Sequence, residues 1–446
     1  MLKILMLMKL EHLNWVIMMQ ISEKLYDLIR DSDEISDKTK KIFKNCMENT
    51  LSRTLISTDR DDYFVITGDI PAMWLRDSSG QIKPLFYLDI KEADDIIKKV
   101  IKRQLYCLDK DLYANAFNMT NNGKSWDRND ITEWNDHIWE RKYELDSICY
   151  PLDTIYMYYE KTGDLEIFDN KFFELLNKII NMLIVEQHHL EKSTYHFERP
   201  NPYVYYDTLA NNGKGSNVAY TGMSWSGFRP SDDACTYQYL IPSNFYLVKV
   251  LGKLIKIMKQ NFSDKVILIE KMEKLKNEVK EGIEKYAIFE DSDFGKIYAY
   301  EVDGLGNSLC MDDANVPSLL SLPYLECVKN DDIIYENTRK FVLSSKNPYY
   351  YEGTNAKGIG SPHTPKNYIW HIALSIQSMT EKDKVKQKEI LDIIEKTDAD
   401  KFLMHEGFNK DNHYEYTRDW FSWSNSLYCE AVLKYLGFER IRKQRV

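Results

Sequence analysis

The sequence predicts an all-α fold: a closed toroid of helical hairpins, with long loops gathered at one end and a few short strands. Three observations carry this expectation. Several segments space their apolar residues three and four apart, the pattern of a helix packed on one face. Between them run long passages rich in Trp, Tyr, Asp, Gly and Pro, with no low-complexity linker and no short-period repeat. The length of 446 residues suits about six hairpins of roughly 70 residues each.

The helical segments are, in order, "EIFDNKFFELLNKIINMLIVEQHH" (166–189), "FYLVKVLGKLIKIMKQN" (245–261), "KVILIEKMEKLKNEVKEGIEKYAIF" (265–289) and "NSLYCEAVLKYLGFERIRK" (425–443). The third carries Glu and Lys on its outer face, and Gly437 stops the fourth. His188 and His189 fall within the first pattern and read as solvated. "DYFVITGD" (62–69) and "KIYAYEVDG" (296–304) are short strand candidates bounded by turn residues. The opening run, "MLKILMLMKLEHLNWVIMMQ", is apolar but broken by Lys9, Glu11 and His12, and no small-residue cleavage site follows it. It is too short and too charged to span a bilayer. Residues 1–19 are therefore set apart as an N-terminal extension: a true start, a signal, or a misassigned start ahead of Met18 or Met19.

Composition excludes several function classes. The net charge is −10, and no basic patch stands out that would neutralise phosphates, so no nucleic-acid partner is expected. No membrane association and no obligate protein partner are evident. The seven cysteines are scattered, odd in number and without a CxxC pair, which argues against a disulfide framework and a zinc site. A reducing, cytoplasmic setting follows. No HExxH, GxGxxG, Walker-type loop or GxSxG occurs, so neither a metal nor a cofactor is expected. The 31 Tyr and 9 Trp lie largely in polar passages. Their flat apolar faces and polar tips suit sugars.

Carboxylates in those passages point to a reaction. Glycosidic hydrolysis needs one carboxylic acid to protonate the leaving oxygen and a second carboxylate to attack the sugar or activate water. Asp77, Asp232, Asp233, Asp312, Asp313, Glu352, Glu406 and Asp419 sit among aromatics and turn residues. Each alone reads equally as a helix cap or a loop brace. "PSDDA" could be an N-cap, and Arg76-Asp77 and Arg418-Asp419 could hold loops. In "MHEGF", Gly407 would let the backbone turn beside Glu406 and admit a ligand. His363, in the Pro-bounded "SPHTP", could donate to a hydroxyl.

Taken together, "FVITGDIPAMWLRDSS", "WERKYELDS", "YTGMSWSGFRPSDDA", "YLIPSN", "DDANVPSLLSLPY", "KGIGSPHTPKNYIWHIALS" and "MHEGF…TRDWFSWSNSL" resemble glycoside hydrolase family 125, the metal-independent exo-α-1,6-mannosidases. The resemblance runs from about residue 62 to about residue 427. It implies an (α/α)6 toroid, with residues 20–446 as one catalytic domain. It also implies hydrolysis of terminal α-1,6-linked mannose with inversion, on substrates such as N-glycan-derived oligosaccharides. By this resemblance Asp232 is the general acid, with Asp233 less favoured, and Glu406 is the general base. Arg76 and Asp77 would grip the terminal mannose, and Glu140, Arg141, Arg229 and His363 are further site candidates. An inverting pair should stand about 6.5–9.5 Å apart. The acid should have a raised pKa, from burial or from neighbouring Asp233, with Arg229 opposing if close. A sugar epimerase using His363 and His405, and a non-catalytic glycan-binding protein, are the competing readings.

Overall fold

In a computed structural model the protein is described over residues 2–444, with side chains from residue 14 onward. The side chains of Lys9, Glu11 and His12 lie outside that description. Helix α1 (Leu2–Asp27) runs unbroken through the boundary expected at residue 19, and Met18, Ile21 and Leu25 are buried. The hairpins follow: α2 (Asp37–Thr54), α3 (Leu75–Gln81), α4 (Lys91–Lys110), α5 (Leu145–Thr162), α6 (Asn170–Glu186), α7 (Ile241–Asn261), α8 (Val266–Tyr286), α9 (Ile333–Val342), α10 (His371–Met379), α11 (Lys384–Lys396) and α12 (Ser422–Tyr435).

The inner wall is built from α7, α5, α3, α12 and α10, each packed on the next in that order, and α12 also packs on the outer helix α2. Turns over residues 318–327 complete the wall between α7 and α10, with Leu319, Leu320, Leu322 and Leu325 buried. Pro317 and Pro323 keep this stretch from becoming a full helix. Asp312 caps it, accepting from the Leu319 and Leu320 amides. The outer helices bury one stripe each; on α4 it is Ala93, Ile96, Ile97, Val100 and Ile101, followed by Cys107 and Leu108. Inner helices α3 and α5 are buried almost all round and carry polar residues inward.

Short strands decorate one end of the ring. In the first antiparallel sheet, β2 (Ala116–Phe117) lies between β1 (Met73–Trp74) and β3 (Ile138–Glu140). In the second, β5 (Glu301–Val302) lies between β4 (Tyr239–Leu240) and β6 (Ser308–Leu309). In the third, β8 (Gly407–Asn409) lies between β7 (Tyr368–Trp370) and β9 (Tyr416–Thr417). Strands β1, β4 and β7 run straight into α3, α7 and α10. Each sheet thus pins the loops to the N-terminal ends of inner helices. The "DYFVITGD" strand forms over Tyr63–Val65, and "KIYAYEVDG" splits into Gly295–Tyr298 and β5.

One local reading changes. Helix α6 ends at Glu186 and the chain turns inward, so His189 is buried and not solvated. Its Nδ1 lies 2.6 Å from Glu186 and its ring stacks on Trp225 at 3.6 Å. Among the described residues no helix is long and apolar enough to cross a membrane, and all seven cysteines are unpaired.

Close helix packing sets the floor of the loop end. A Cβ on Gly80 of α3 would sit 2.2 Å from Nε1 of Trp423 on α12. Gly80→Ala should therefore cost about 1–3 kcal/mol of stability. Thermal melting should show a clear drop in Tm; an unchanged Tm would contradict this packing.

Candidate active site

A cavity of about 730 Å³ opens among the loops, at the N-terminal ends of α3, α10 and α12. That size suits a small ligand such as one or two sugar rings. Trp74, Trp370, Phe421 and Trp423 give it apolar walls. Asp77, Glu140, Asp232, Asp233, Glu406, Arg76, Lys142, Arg199, His363 and Arg418 give it charge. A second depression of about 610 Å³, lined by α7 and α8, holds none of the expected site residues.

"SWSGFRPSDDACTY" (224–237) contains a tight hairpin and not a helix cap. Phe228 and Ala234 pair across it, the Arg229 amide donates to the Asp233 carbonyl at 2.8 Å, and the Asp232 amide donates to the Arg229 carbonyl at 2.9 Å. Asp232 sits at the tip with φ +66°, a left-handed conformation that Asp tolerates better than most residues. The tip is held from below: Ser231 donates to Asp313 at 2.9 Å, the Asn315 amide to the Pro230 carbonyl at 3.1 Å, and Lys142 to the Asp232 carbonyl at 2.8 Å. Arg229 points away from the cavity and pairs with Glu301 of β5 at 2.5 Å, anchoring the hairpin's base. Asp233 pairs with His363 at 3.0 Å.

Arg76, on the first turn of α3, is the hub of the buried charges. It lies 2.5 Å from Glu144, 3.1 Å from Asp146, 3.5 Å from Asp232 and 3.7 Å from Asp77. The Asn115 amide spans Glu140 at 3.2 Å, Glu144 at 3.4 Å and Asp232 at 3.2 Å. Lys142 and Arg199 hold Glu140 and Asp207 on the other flank.

Burial drives the Glu144 carboxyl well above the usual range against the pull of Arg76, and the negative charge of Asp232 and the hydrogen bond to it push it further. Burial also raises Asp232, but the hydrogen bond with Glu144 and the charges of Arg76, Lys142 and His363 outweigh it and bring Asp232 to about 2. The expectation of an acid proton held on Asp232 by Asp233 is thus corrected. Asp233 is engaged by His363, and of the Glu144–Asp232 pair burial favours the protonated form on Glu144. Asp146 rises to about 6 and Asp77 also rises, both chiefly through burial. Burial opposes charge on His363, yet Asp233, then Glu406 and Asp232, lift it to about 10, so it is a cation at neutral pH.

Glu406 comes from the loop into β8, ahead of α12, the inner helix that packs on α3. Its amide donates to the Thr417 carbonyl at 3.3 Å, and its carboxylate lies 3.7 Å from Arg418. Arg418 also donates to the Thr67 carbonyl at 2.6 Å and to Asp69 at 3.0 Å. Gly407 is not a turn: it lies in β8, where a Cβ would come within 3.2 Å of the Trp370 ring. The glycine allows that indole to approach.

Six of the eight expected site residues line this cavity: Arg76, Asp77, Glu140, Asp232, His363 and Glu406. Arg141 and Arg229 do not. Arg141 pairs with Asp111 and Glu133 behind the wall. Asp312, Asp313, Glu352 and Asp419 also lie outside the lining, and Asp312 serves as the cap described above. His405 is buried away from the cavity, with Nδ1 2.9 Å from the Arg418 carbonyl and its ring stacked on Tyr416.

The sequence motifs did not single out Asn115, Lys142, Glu144, Asp146 or Arg199, and marked Arg418 only as a loop brace. The density of charge in "WERKYELDS" was the available signal for three of them. Trp74 Nε1, Arg76 Nε, Asp233 Oδ2 and Asn315 Oδ1 are buried without a hydrogen-bond partner, all on residues lining the cavity. Such atoms suit a polyhydroxyl ligand. Among the described residues no group of three or more His, Cys, Asp or Glu could hold a metal ion.

Arg76→Ala would strand Glu144 and Asp146, and removing one partner of a buried ion pair costs about 3–5 kcal/mol. Urea unfolding should read that loss; an unchanged midpoint would refute the hub role.

Comparison with known proteins agrees with this geometry. A family profile described as metal-independent α-mannosidase (GH125) matches residues 36–433. The meiotically up-regulated gene 157 protein of Schizosaccharomyces pombe is 38% identical over 423 residues, covering 89% of this chain and 82% of that protein. A Streptococcus pneumoniae metal-independent α-mannosidase, solved in a non-productive substrate complex with α-1,6-mannobiose, is 43% identical with a TM-score of 0.91, covering 95% of this chain and 99% of that one. A bacterial glucoamylase complexed with acarbose shares the fold alone, at 12% identity and a TM-score of 0.57 over 90% of this chain and 56% of that one. The match from residue 36 to residue 433, wider than the motifs alone suggested, makes the chain a glycoside hydrolase: it belongs to the metal-independent α-mannosidases of family 125.

Proposed function

We propose that this α-mannosidase removes non-reducing terminal α-1,6-linked mannose with inversion of configuration, Asp232 acting as general acid and Glu406 as general base. The carrying observation is that these two carboxyls, borne by separate loops, the 224–237 hairpin and the loop into β8, line one cavity. A sugar between them would have a proton donor on one face and a base-held water on the other. Asp232 is favoured over Asp233 because its side chain is 24% exposed, against 3% for Asp233, which His363 already occupies. In the reaction Asp232 protonates the glycosidic oxygen as the bond to C1 breaks. Water attacks C1 from the far side and gives its proton to Glu406.

Arg76 and Asp77 sit where they can grip hydroxyls, and Arg418 orients Glu406. The α-1,6 linkage rests on the likeness to the Streptococcus pneumoniae enzyme, whose reported role in processing N-linked glycans makes such glycans the natural substrate class here. An epimerase would need a neutral histidine facing the sugar. His363 is held as a cation, and His405 is turned away. Residues 20–446 would act as one catalytic domain, and the unpaired cysteines support an intracellular setting.

Asp232→Asn and Glu406→Gln should each lower kcat on α-1,6-mannobiose by at least about 100-fold while Tm holds. Full activity in either folded variant would remove that residue from its role. NMR should show β-mannose as the first product; α-mannose first would contradict inversion. Activity should survive EDTA.

A further inference from the structure

We propose that Glu144 is a positioning residue that stores the acid's proton and shares it with Asp232. This rests on the reading of Asp232 as the acid. The geometry is a crowded buried cluster. On the α3 and α5 side, Arg76 faces Asp77, Glu144, Asp146 and Asp232. On the β3 side, Lys142 and Arg199 face Glu140, Asp130 and Asp207. His363 adds one cation from the opposite loop but is paired with Asp233. With Arg418, which acts on Asp77 across the cavity, four cations therefore serve seven carboxyls, and these cannot all be ionised in a poorly hydrated wall.

Glu144 is where a proton stays most readily. Its side chain is fully buried, and it shares Asn115, Arg76 and a direct hydrogen bond with Asp232. Only Asp232 of the two reaches the cavity. The proton crosses from Glu144 to Asp232, and rotation of the acid presents it to the glycosidic oxygen. That oxygen takes the proton together with the electron pair of the broken C1–O bond. Both dyad carboxylates are then ionised against Arg76. The proton that Glu406 takes from water returns through solvent after the products leave. A raised carboxyl keeps its proton as pH rises, so the dyad extends activity above the range where a lone Asp232 beside Arg76 and Lys142 would be ionised.

The test is Glu144→Gln, which keeps shape and hydrogen bonding but holds no transferable proton. On α-1,6-mannobiose, kcat/KM at pH 7 should fall by about 100-fold, and the basic limb of the pH profile should move to lower pH. Hydrolysis of α-mannosyl fluoride, whose leaving group needs no proton, should fall far less. Equal losses on both substrates, or an unmoved basic limb, would overturn the proposal. If Glu144→Gln does not fold, Glu144→Asp replaces it: the shorter acid should retain the basic limb with reduced kcat, and a lost limb would count against proton sharing. Asp232→Asn separates the two readings. If it keeps mannobiose activity, the acid assignment fails. If it loses activity while Glu144→Gln is unaffected, only the role of Glu144 fails.

A different observation carries a second inference. At the cavity mouth Trp126 is 55% exposed and Tyr203 97% exposed, and both line the same cavity as Asp232 and Glu406. Their loops are tied together by paired Ile131–Glu198 backbone hydrogen bonds of 2.7 and 3.1 Å and by Arg199 on Asp130. The geometry points to an aromatic platform for a pyranose ring on the leaving-group side of a longer mannoside, and this too rests on the proposed hydrolysis. Flat rings held at low entropy cost suit sugar faces. The readout is the ratio of kcat/KM for α-1,6-mannotetraose to that for mannobiose, which Tyr203→Ala combined with Trp126→Ala should lower about tenfold. An unchanged ratio would overturn it, whereas absence of mannobiose turnover by the parent protein would instead strike the hydrolysis itself.

Discussion

The buried guanidinium of Arg76 is the interaction on which the site depends. It stands on the first turn of α3, almost closed off from water, and contacts carboxyls from three places in the chain. Burying a charge is costly unless it is paired, and burying several carboxyls is costlier still. The cluster resolves this by sharing: Arg76 and Asn115 each serve several acids, and burial raises the pKa of Glu144, Asp146 and Asp77. The same burial that the wall requires raises the pKa of the Glu144 carboxyl well above the usual range. In the proposed reaction, stability and acid catalysis would be two consequences of one charge arrangement.

The toroid explains why these groups meet. Inner helices begin at the loop end, where three small sheets splice strands directly into helix starts. Helix N-termini carry partial positive charge, which favours the acidic residues gathered there. The hairpin bearing Asp232 is braced by Arg229 on β5 and by the Asp313–Asn315 loop, so its left-handed tip is held in place. Glu406 is braced separately, by β8 and Arg418. The two halves of the proposed chemistry therefore ride on separate supports.

Much of the fold was legible in the sequence, and unevenly. Helices α6 and α8 bury a single face, so their apolar spacing survives as a readable period. Helices α3 and α5 are buried on nearly all sides yet line a polar centre, so Asp, Ser and Arg interrupt any period. The individual loop motifs were legible too, and six of the eight named site residues line the cavity. Arg141 and Arg229 sit in the same motifs but point the other way, because adjacent residues on extended chain face opposite sides. His189 was misread because only a helix end at Glu186 turns it inward.

The sequence by itself determined the residue types: a carboxylate-rich, aromatic set of loops on a helical frame, in motifs distinctive enough to indicate the family. The tertiary structure decided which of those groups crowd around Arg76, which are braces and which line one cavity. The reason is that pKa and pairing depend on distances between residues far apart in the chain and on the removal of water around them. No local pattern records that Glu144 lies against Asp232, or that Arg418 stands beside Glu406, until the ring closes.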